Sequence, residues 1–230
     1  MTISTPALKS APSERSVLAG KAAVVTGTGP SSIATALAFA RVGASVALAS
    51  DDDLSIARAV RGIKAAGGAA IALPTDLSDP RAVRQLVAAA KEAFGGVDLA
   101  VNVPGAAEGA RMDRAWTCRA VYLAMEFELP AIVDSGGGAI VNATATPSGR
   151  KPEDGQCVIG LSRAAALDHA AGGVRVNAVI AGAGSPDDFA SAAVWLCSER
   201  ASHVTGAAVP LGLPPLGAQA TQPGRTTPYS

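Results

Sequence analysis

The chain has 230 residues, of which 49% are hydrophobic and 3% aromatic, and its 19 basic residues balance 19 acidic ones. This length and apolar content predict one well-filled globular domain and exclude a disordered chain. The balanced charge offers no field to nucleic acid or an anionic membrane, and so few aromatic residues exclude a base-stacking platform. No apolar run is long enough to cross a bilayer, and none near the N-terminus resembles a secretory signal.

Composition divides the chain into three parts. Residues 1–20 mix Ser, Thr, Pro and Ala without periodicity and predict a flexible leader, while residues 213–230 are rich in Pro and Gly and predict a flexible tail. Between them, residues 21–212 predict a single domain in which strand and helix patterns alternate. In chain order these are strand 22–26, helix 31–41, strand 45–49, helix 53–66, strand 69–73, helix 80–94, strand 97–103, helix 114–133, strand 139–143, helix 157–171, strand 174–180, helix 187–199 and strand 207–211.

This alternation predicts the fold. Strands made of continuous apolar runs are typical of a parallel sheet that is covered by helices on both faces. Right-handed crossovers then give a three-layer, doubly wound parallel sheet, the Rossmann fold. Pro130 is expected to disturb the long helix in which it lies.

The three cysteines, Cys118, Cys157 and Cys197, are an odd number without metal-ligand spacing. They predict no metal site, and they favour a reducing, cytoplasmic compartment. Cys157 begins a predicted helix, where a thiol is activated, so it is a candidate nucleophile. The competing and favoured interpretation is a small buried apolar residue.

The loop after the first strand has features of a dinucleotide-binding turn. Gly27 and Gly29 supply two of the three glycines of that pattern, and Ser32 stands in the third place. The start of the following helix offers N–H groups to a phosphate, although Pro30 removes one donor. Asp51 follows the second strand, where a carboxylate can accept hydrogen bonds from a ribose, and its neighbours Asp52 and Asp53 would repel a 2′-phosphate. Two alternatives remain: a vestigial loop without cofactor, or weak binding of NAD in preference to NADP.

Six segments in family order carry a resemblance to the short-chain dehydrogenase/reductases over about residues 20–212. They are residues 26–29, 76–79, 101–105, 138–142, 173–177 and 204–206. The resemblance implies a nicotinamide-cofactor fold and places Asp76, Asn102 and Gly105 along the cofactor. Ile33 lies in a Ser-Ile-Ala stretch similar to that of the enoyl reductase branch.

The catalytic residues that the resemblance implies are missing. The family uses a Tyr, a Lys four residues later, a Ser and an Asn. The corresponding positions fall near Lys151, Gly155 and Ala145, and within residues 116–119. No Tyr in the chain is followed by Lys at that spacing. Thr144 and Lys151 are the remaining weak candidates for chemistry. The segment that usually covers substrate is also shortened, since residues 180–184 run almost directly into the next helix.

Three functions therefore remain open for the sequence. The first is a non-catalytic subunit that associates with an active homologue or with itself, through helices 114–133 and 157–171, which pair subunits in the family. The second is a non-redox enzyme, such as a cyclase, isomerase or lyase acting on a small molecule. The third is an atypical NAD(P)-dependent oxidoreductase. The first is favoured, because the catalytic positions are blank while the association helices are retained.

Overall fold

A computed structural model of the protein describes residues 17–27, 29–104, 114–145, 155–181 and 184–212. Within this part of the chain, seven strands form one parallel sheet in the order β3-β2-β1-β4-β5-β6-β7. The strands are β1 (Ala22–Thr26), β2 (Ser45–Ser50), β3 (Ala70–Pro74), β4 (Leu99–Asn102), β5 (Gly138–Ala145), β6 (Val174–Ala181) and β7 (Ala208–Leu211). This arrangement confirms the predicted doubly wound parallel sheet.

Six α-helices connect these strands within the described residues. They are α1 (Pro30–Arg41), α2 (Asp53–Ala65), α3 (Pro80–Phe94), α4 (Arg114–Asp134), α5 (Gln156–Asp168) and α6 (Pro186–Cys197). The helix α4 continues through Pro130. No helix in the described ranges is both long and apolar enough to cross a membrane.

The sheet separates two apolar layers. Alternate strand residues point to opposite faces, so the neighbours Val24 and Val25 enter different layers, and both are fully buried. Phe39, in α1, packs in the layer that also holds α2 and α6. Met125, in α4, packs in the layer that also holds α3 and α5. Because all the strands are parallel, their carboxyl ends meet at one edge of the sheet.

Several boundaries differ from the sequence prediction; the helix predicted over residues 157–171, for example, ends at Asp168. Two of the differences have a clear structural reason. Val17–Gly20 belongs to the packed domain rather than to a leader, because Leu18 is buried and its N–H donates to the Val42 carbonyl at 2.9 Å. The last long helix ends at Cys197 instead of residue 199, because Ser198 adopts an extended backbone and its hydroxyl donates to the Trp195 carbonyl at 2.7 Å. Residues 1–16 and 213–230, which include most of the predicted leader and all of the tail, lie outside the described residues.

The predicted shortening of the substrate-covering segment agrees with the chain path. β6 ends at Ala181 and α6 begins at Pro186, so four residues connect them. Ser185 caps α6 in a reciprocal box, in which its hydroxyl accepts from the Asp188 N–H and the Asp188 carboxylate accepts from the Ser185 N–H.

Candidate functional site

The candidate site is the crevice at the carboxyl ends of β1 and β4. The sheet order reverses between these two strands, and ligands of doubly wound folds bind at this point. Thr26 and Asn102 are paired in register at the two strand ends. The loop before α1 lies on one side of the crevice, and the end of β5 and the start of α5 lie on the other.

The β1–α1 loop depends on two glycines with left-handed backbone. Gly27 has φ +120°, and a Cβ there would overlap the Val103 carbonyl oxygen. Gly29 has φ +108°, and a Cβ there would meet no atom within 4 Å. The first glycine therefore permits close packing of loop and sheet, whereas the second leaves open space above the helix start.

The start of α1 fits an anion in part. Gly29 is the N-cap, no side chain caps this end, and Pro30 in the first turn has no N–H to donate. Ser32 is buried and its hydroxyl donates to the Gly29 carbonyl at 2.9 Å, which keeps this side chain within the protein. Ile33 donates its N–H to the same carbonyl at 3.4 Å. The helix start can thus donate N–H groups to a pyrophosphate, but it offers one N–H fewer than a helix start without proline.

Acidic residues follow β2 and β3 at the same edge. Asp51 and Asp52 are exposed, and Asp52 caps α2 by accepting from the Ser55 N–H at 3.1 Å. The Ser55 hydrogen bonds lower the pKa of Asp52 below its usual value. Asp76 is also exposed and accepts from both the hydroxyl and the N–H of Ser78, at 2.7 and 2.8 Å, which lowers its pKa. These carboxylates place negative charge at the carboxyl ends of β2 and β3.

Asn102 is a member of a buried polar network beneath the crevice. Its carbonyl oxygen accepts from the Thr26 hydroxyl at 2.7 Å, and its amide donates to Glu128 at 2.8 Å and to Asn142 at 3.0 Å. Asn142 in turn donates to the Ser162 hydroxyl at 3.0 Å. Because these bonds occupy the Asn102 side chain, a dinucleotide could contact this residue only through its backbone. Asn102, on β4, is thus joined to β1, β5 and α4, and Asn142 extends the network to α5.

Glu128 is the ionisable member of that network. It is fully buried, and its second carboxylate oxygen has no hydrogen-bond partner among the described residues. Burial raises the pKa of Glu128 to about 7, although the hydrogen bond from Asn102 favours the ionised form. Sequence reasoning did not identify this residue as buried, although it lies on the same helical stripe as Val121, Met125 and Ile132, which are all buried.

On the β5–α5 side of the crevice, two small residues, Thr144 and Gly155, pack against each other. Thr144, one of the two candidate catalytic residues, is 1% exposed, and its hydroxyl has no hydrogen-bond partner in the described part of the chain. Gly155 packs directly against it, since a Cβ on Gly155 would lie 2.8 Å from the Thr144 hydroxyl oxygen. A lysine at position 155, where the resemblance places the family lysine, would therefore displace Thr144. The other candidates, Lys151 and Gly105, lie outside the described residues.

A disulfide bond joins Cys118, in α4, to Cys157, in α5, with a Cα–Cα distance of 6.0 Å. This bond differs from the expectation of a reducing compartment, and it contradicts the favoured interpretation of Cys157 as a small buried apolar residue. Cys157 is partly exposed. Cys197 is buried and unpaired, and burial raises the pKa of its thiol to about 12.

Comparison with known proteins identifies relatives of this architecture. A family profile described as Enoyl-(Acyl carrier protein) reductase matches residues 29–185. Cyclohexanol dehydrogenase from Acinetobacter sp. is 33% identical over 38% of the chain and 47% of its own length. The dehydrogenase LinX from Sphingobium indicum, which acts on 2,5-dichloro-2,5-cyclohexadiene-1,4-diol, is 30% identical over 84% of the chain and 95% of its own length.

A solved structure with the same architecture is also similar to this chain. A 7α-hydroxysteroid dehydrogenase, complexed with NADH and 7-oxo glycochenodeoxycholic acid, superposes with a TM-score of 0.74 at 25% identity. The match covers 86% of this chain and 94% of that enzyme. The likeness therefore extends over most of the chain.

Proposed function

Because this chain belongs to the short-chain dehydrogenase/reductase family, we propose that it serves as a non-catalytic subunit that associates with an active homologue or with a second copy of itself. Its relatives are named as dehydrogenases, and the family fold is retained here. The proposed difference lies in the site and not in the architecture. We further propose the cytoplasm as its location.

One observation carries this proposal: no tyrosine–lysine pair is available for proton transfer. The chain has two tyrosines, and neither is followed by a lysine four residues later. Tyr122 lies on the exposed side of α4, with 52% of its surface accessible. The resemblance places the lysine position near Gly155, and a Cβ on Gly155 would lie 2.8 Å from the Thr144 hydroxyl oxygen. A general acid with a suitably tuned pKa is therefore missing from the positions at which the family holds it.

The exposed apolar residues support association through α4 and α5. Five large hydrophobic side chains are exposed in the described part of the chain, and three of them lie on these two helices: Tyr122, Val133 and Leu167. Leu167 is 81% accessible, so a subunit that covers it would bury a large apolar area and stabilise the association. In addition, Gly160 lies exposed on α5 and permits close approach of a second helix.

The proposed cofactor interaction is weak NAD binding, or none. The α1 start and the open space at Gly29 suit a pyrophosphate, while Pro30 removes one donor. The three carboxylates of residues 51–53 disfavour the additional phosphate of NADP. Bound NAD in such a subunit would stabilise the fold, since a ligand that binds only the folded state raises its stability.

A second candidate is an atypical NAD(P)-dependent oxidoreductase, because the closely matching relatives are named as dehydrogenases. In that case Lys151 and Thr144 would have to replace the missing proton-transfer groups. The buried, closely packed position of the Thr144 hydroxyl argues against this role.

A matched pair of leucine variants tests association. Leu167→Lys changes the proposed association surface, whereas Leu54→Lys changes an equally exposed leucine, 84% accessible, on α2. We expect the wild-type chain and Leu54→Lys to form oligomers in light scattering, alone or after co-expression with an active homologue encoded nearby. We expect Leu167→Lys to reduce association at least tenfold, because a buried lysine must lose its hydration.

Two outcomes would contradict this proposal. A wild-type chain that remains monomeric alone and with every co-expressed homologue would remove the subunit role. If the two lysine variants lost association equally, the contact surface would not be the proposed one on α4 and α5. Circular dichroism of each variant, unchanged from the wild type, shows that the fold is intact in the comparison.

A further inference from the structure

The Cys118–Cys157 pair links two helices that are distant in sequence. The two residues are separated by 39 positions, and the packing of α4 against α5 brings their Cα atoms to 6.0 Å. That separation lies within the usual range for a disulfide, so the fold itself sets the approach of the two sulfur atoms. Neither residue is buried out of reach, because both are partly exposed.

The local surroundings favour reaction at Cys157 first. It is the second residue of α5, and Gly155, the N-cap of this helix, provides no side-chain hydrogen bond to the helix start. Uncapped N–H groups and the positive end of the helix dipole stabilise a thiolate at such a position. Cys118 is the fifth residue of α4, and it is close enough to Cys157 to displace a small thiol bound there.

The third cysteine shows the contrasting case. Cys197 is fully buried in the layer formed by α1, α2 and α6. Burial holds its thiol protonated, with a pKa of about 12, although the neighbouring Arg175 partly offsets this effect. The chain therefore contains one inert thiol and one pair with access to solvent, and Cys197 provides an internal control.

We propose that Cys118 and Cys157 form a reversible thiol–disulfide exchange site whose reaction partner is a small thiol/disulfide couple of the glutathione class. The exchange reaction itself uses neither a nucleotide nor a hydride. A disulfide in a reducing compartment is usually transient, so reversibility reconciles this bond with the proposed cytoplasmic location.

The exchange proceeds in two steps. The Cys157 thiolate attacks one sulfur of the small disulfide, whose S–S bond breaks and releases one small thiolate. The Cys118 thiolate then attacks the Cys157 sulfur of this mixed disulfide, forms the internal S–S bond and releases the second small thiolate. In total the two protein thiols lose two electrons and two protons, and the small disulfide becomes two small thiols.

Oxidation fixes the first turns of α4 and α5 relative to each other. The closed loop contains the rest of α4 and all of β5, and Gly155, the N-cap of α5, packs against Thr144 within it. Reduction releases this constraint, so the start of α5 becomes the part of the described fold that gains most freedom. Hydrogen exchange at residues 156–162 is therefore expected to rise at least tenfold in the reduced protein.

Glutathione titration of the full chain tests the proposal. The protein is equilibrated anaerobically with defined ratios of reduced and oxidised glutathione, quenched with acid, alkylated and weighed by mass spectrometry. We expect a single reversible transition that changes two alkylation sites and leaves the circular dichroism spectrum unchanged. The Cys197→Ser variant is expected to show the same transition, and Cys118→Ser is expected to accumulate one glutathione adduct at Cys157.

Failure of the pair to oxidise at any ratio would overturn the proposal, as would oxidation that requires denaturant or that disappears in Cys197→Ser. In the wild type, full reduction should lower the melting temperature by roughly 10 °C, from the loss of a loop of this size. The same melting temperature in the oxidised and the reduced protein would contradict the proposed constraint.

Discussion

The two sides of the crevice differ in what they retain. On the β1–α1 side, the glycines, the helix start and the acidic residues suit a dinucleotide, with Pro30 as the main departure. On the β5–α5 side, Gly155 packs against a buried Thr144, and a disulfide joins the adjacent helices. The two sides therefore differ in packing: the first leaves open space at Gly29, whereas the second is filled by the contact between Gly155 and Thr144. Variants of each side can test this difference.

The largest effect is expected at Gly27. In Gly27→Ala the new Cβ overlaps the Val103 carbonyl oxygen, and the backbone at φ +120° is unfavourable for alanine. We expect a loss of more than about 3 kcal/mol in the free energy of unfolding, measured with urea. Gly29→Ala is the matched control, because its φ is similar but its Cβ meets no atom, and it should lose about half as much. Equal losses would show that backbone strain alone sets the effect.

The next effect concerns pH and Glu128, which lies below both sides. Its pKa is about 7 in the folded protein and 4.5 in the unfolded reference, so the folded state holds this proton more tightly. The free energy of unfolding should therefore fall by about 3 kcal/mol as the pH rises from 4.5 to 7, and this contribution should stay constant above that.

A neutral variant isolates this contribution. Glu128→Gln should remove the fall, so that its unfolding free energy changes less between pH 4.5 and 7 than that of the wild type. Glu126→Gln, at an exposed position two residues earlier on α4, should keep the wild-type profile. Parallel profiles for the wild type and Glu128→Gln would refute the assignment of this carboxyl group.

A smaller effect is expected from the contact between Thr144 and Gly155. Gly155→Ala should lose about 2 kcal/mol, because its Cβ would lie 2.8 Å from the Thr144 hydroxyl oxygen. In a Thr144→Ala background, the same change should cost about 1 kcal/mol less, since the hydroxyl oxygen and the methyl carbon are removed while the Cβ at 3.0 Å remains. Gly160→Ala, on the open side of α5, is the control and should be neutral or stabilising. Additive losses in the double variant would mean that these residues do not pack in contact.

The smallest effect is expected from nucleotides. NADH should raise the melting temperature by no more than about 2 °C at millimolar concentration, and NADPH should raise it less. Asp51→Asn should reduce the difference between the two cofactors, because it removes one of the carboxylates that repel a 2′-phosphate. A larger shift with NADPH than with NADH would contradict the preference inferred from residues 51–53.

The layered fold could be predicted because its signals are local. Apolar runs such as residues 22–26 and the glycine and proline boundaries fixed the order and type of the elements, and most bounds differ by one or two residues from the structure. The site was harder, because its features depend on distant contacts. Asn102 was interpreted as a cofactor residue, but its side chain is occupied by partners on β1, β5 and α4.

The disulfide shows the same limit more strongly. Spacing in the sequence does not pair Cys118 with Cys157, since 39 residues separate them. Their positions near the starts of consecutive helices did contain a signal, because those helices follow adjacent parallel strands and begin at the same edge of the sheet. Glu128 similarly shares a helical stripe with buried residues, and helical spacing alone could have placed it in the interior.

The most direct test is NADH oxidation by the purified chain in the presence of cyclic ketones, such as cyclohexanone, followed spectrophotometrically. We expect no turnover above the buffer rate, because no tyrosine–lysine pair supplies a proton and Thr144 is packed against Gly155. Turnover that is proportional to the amount of chain and is lost in Lys151→Ala would contradict it.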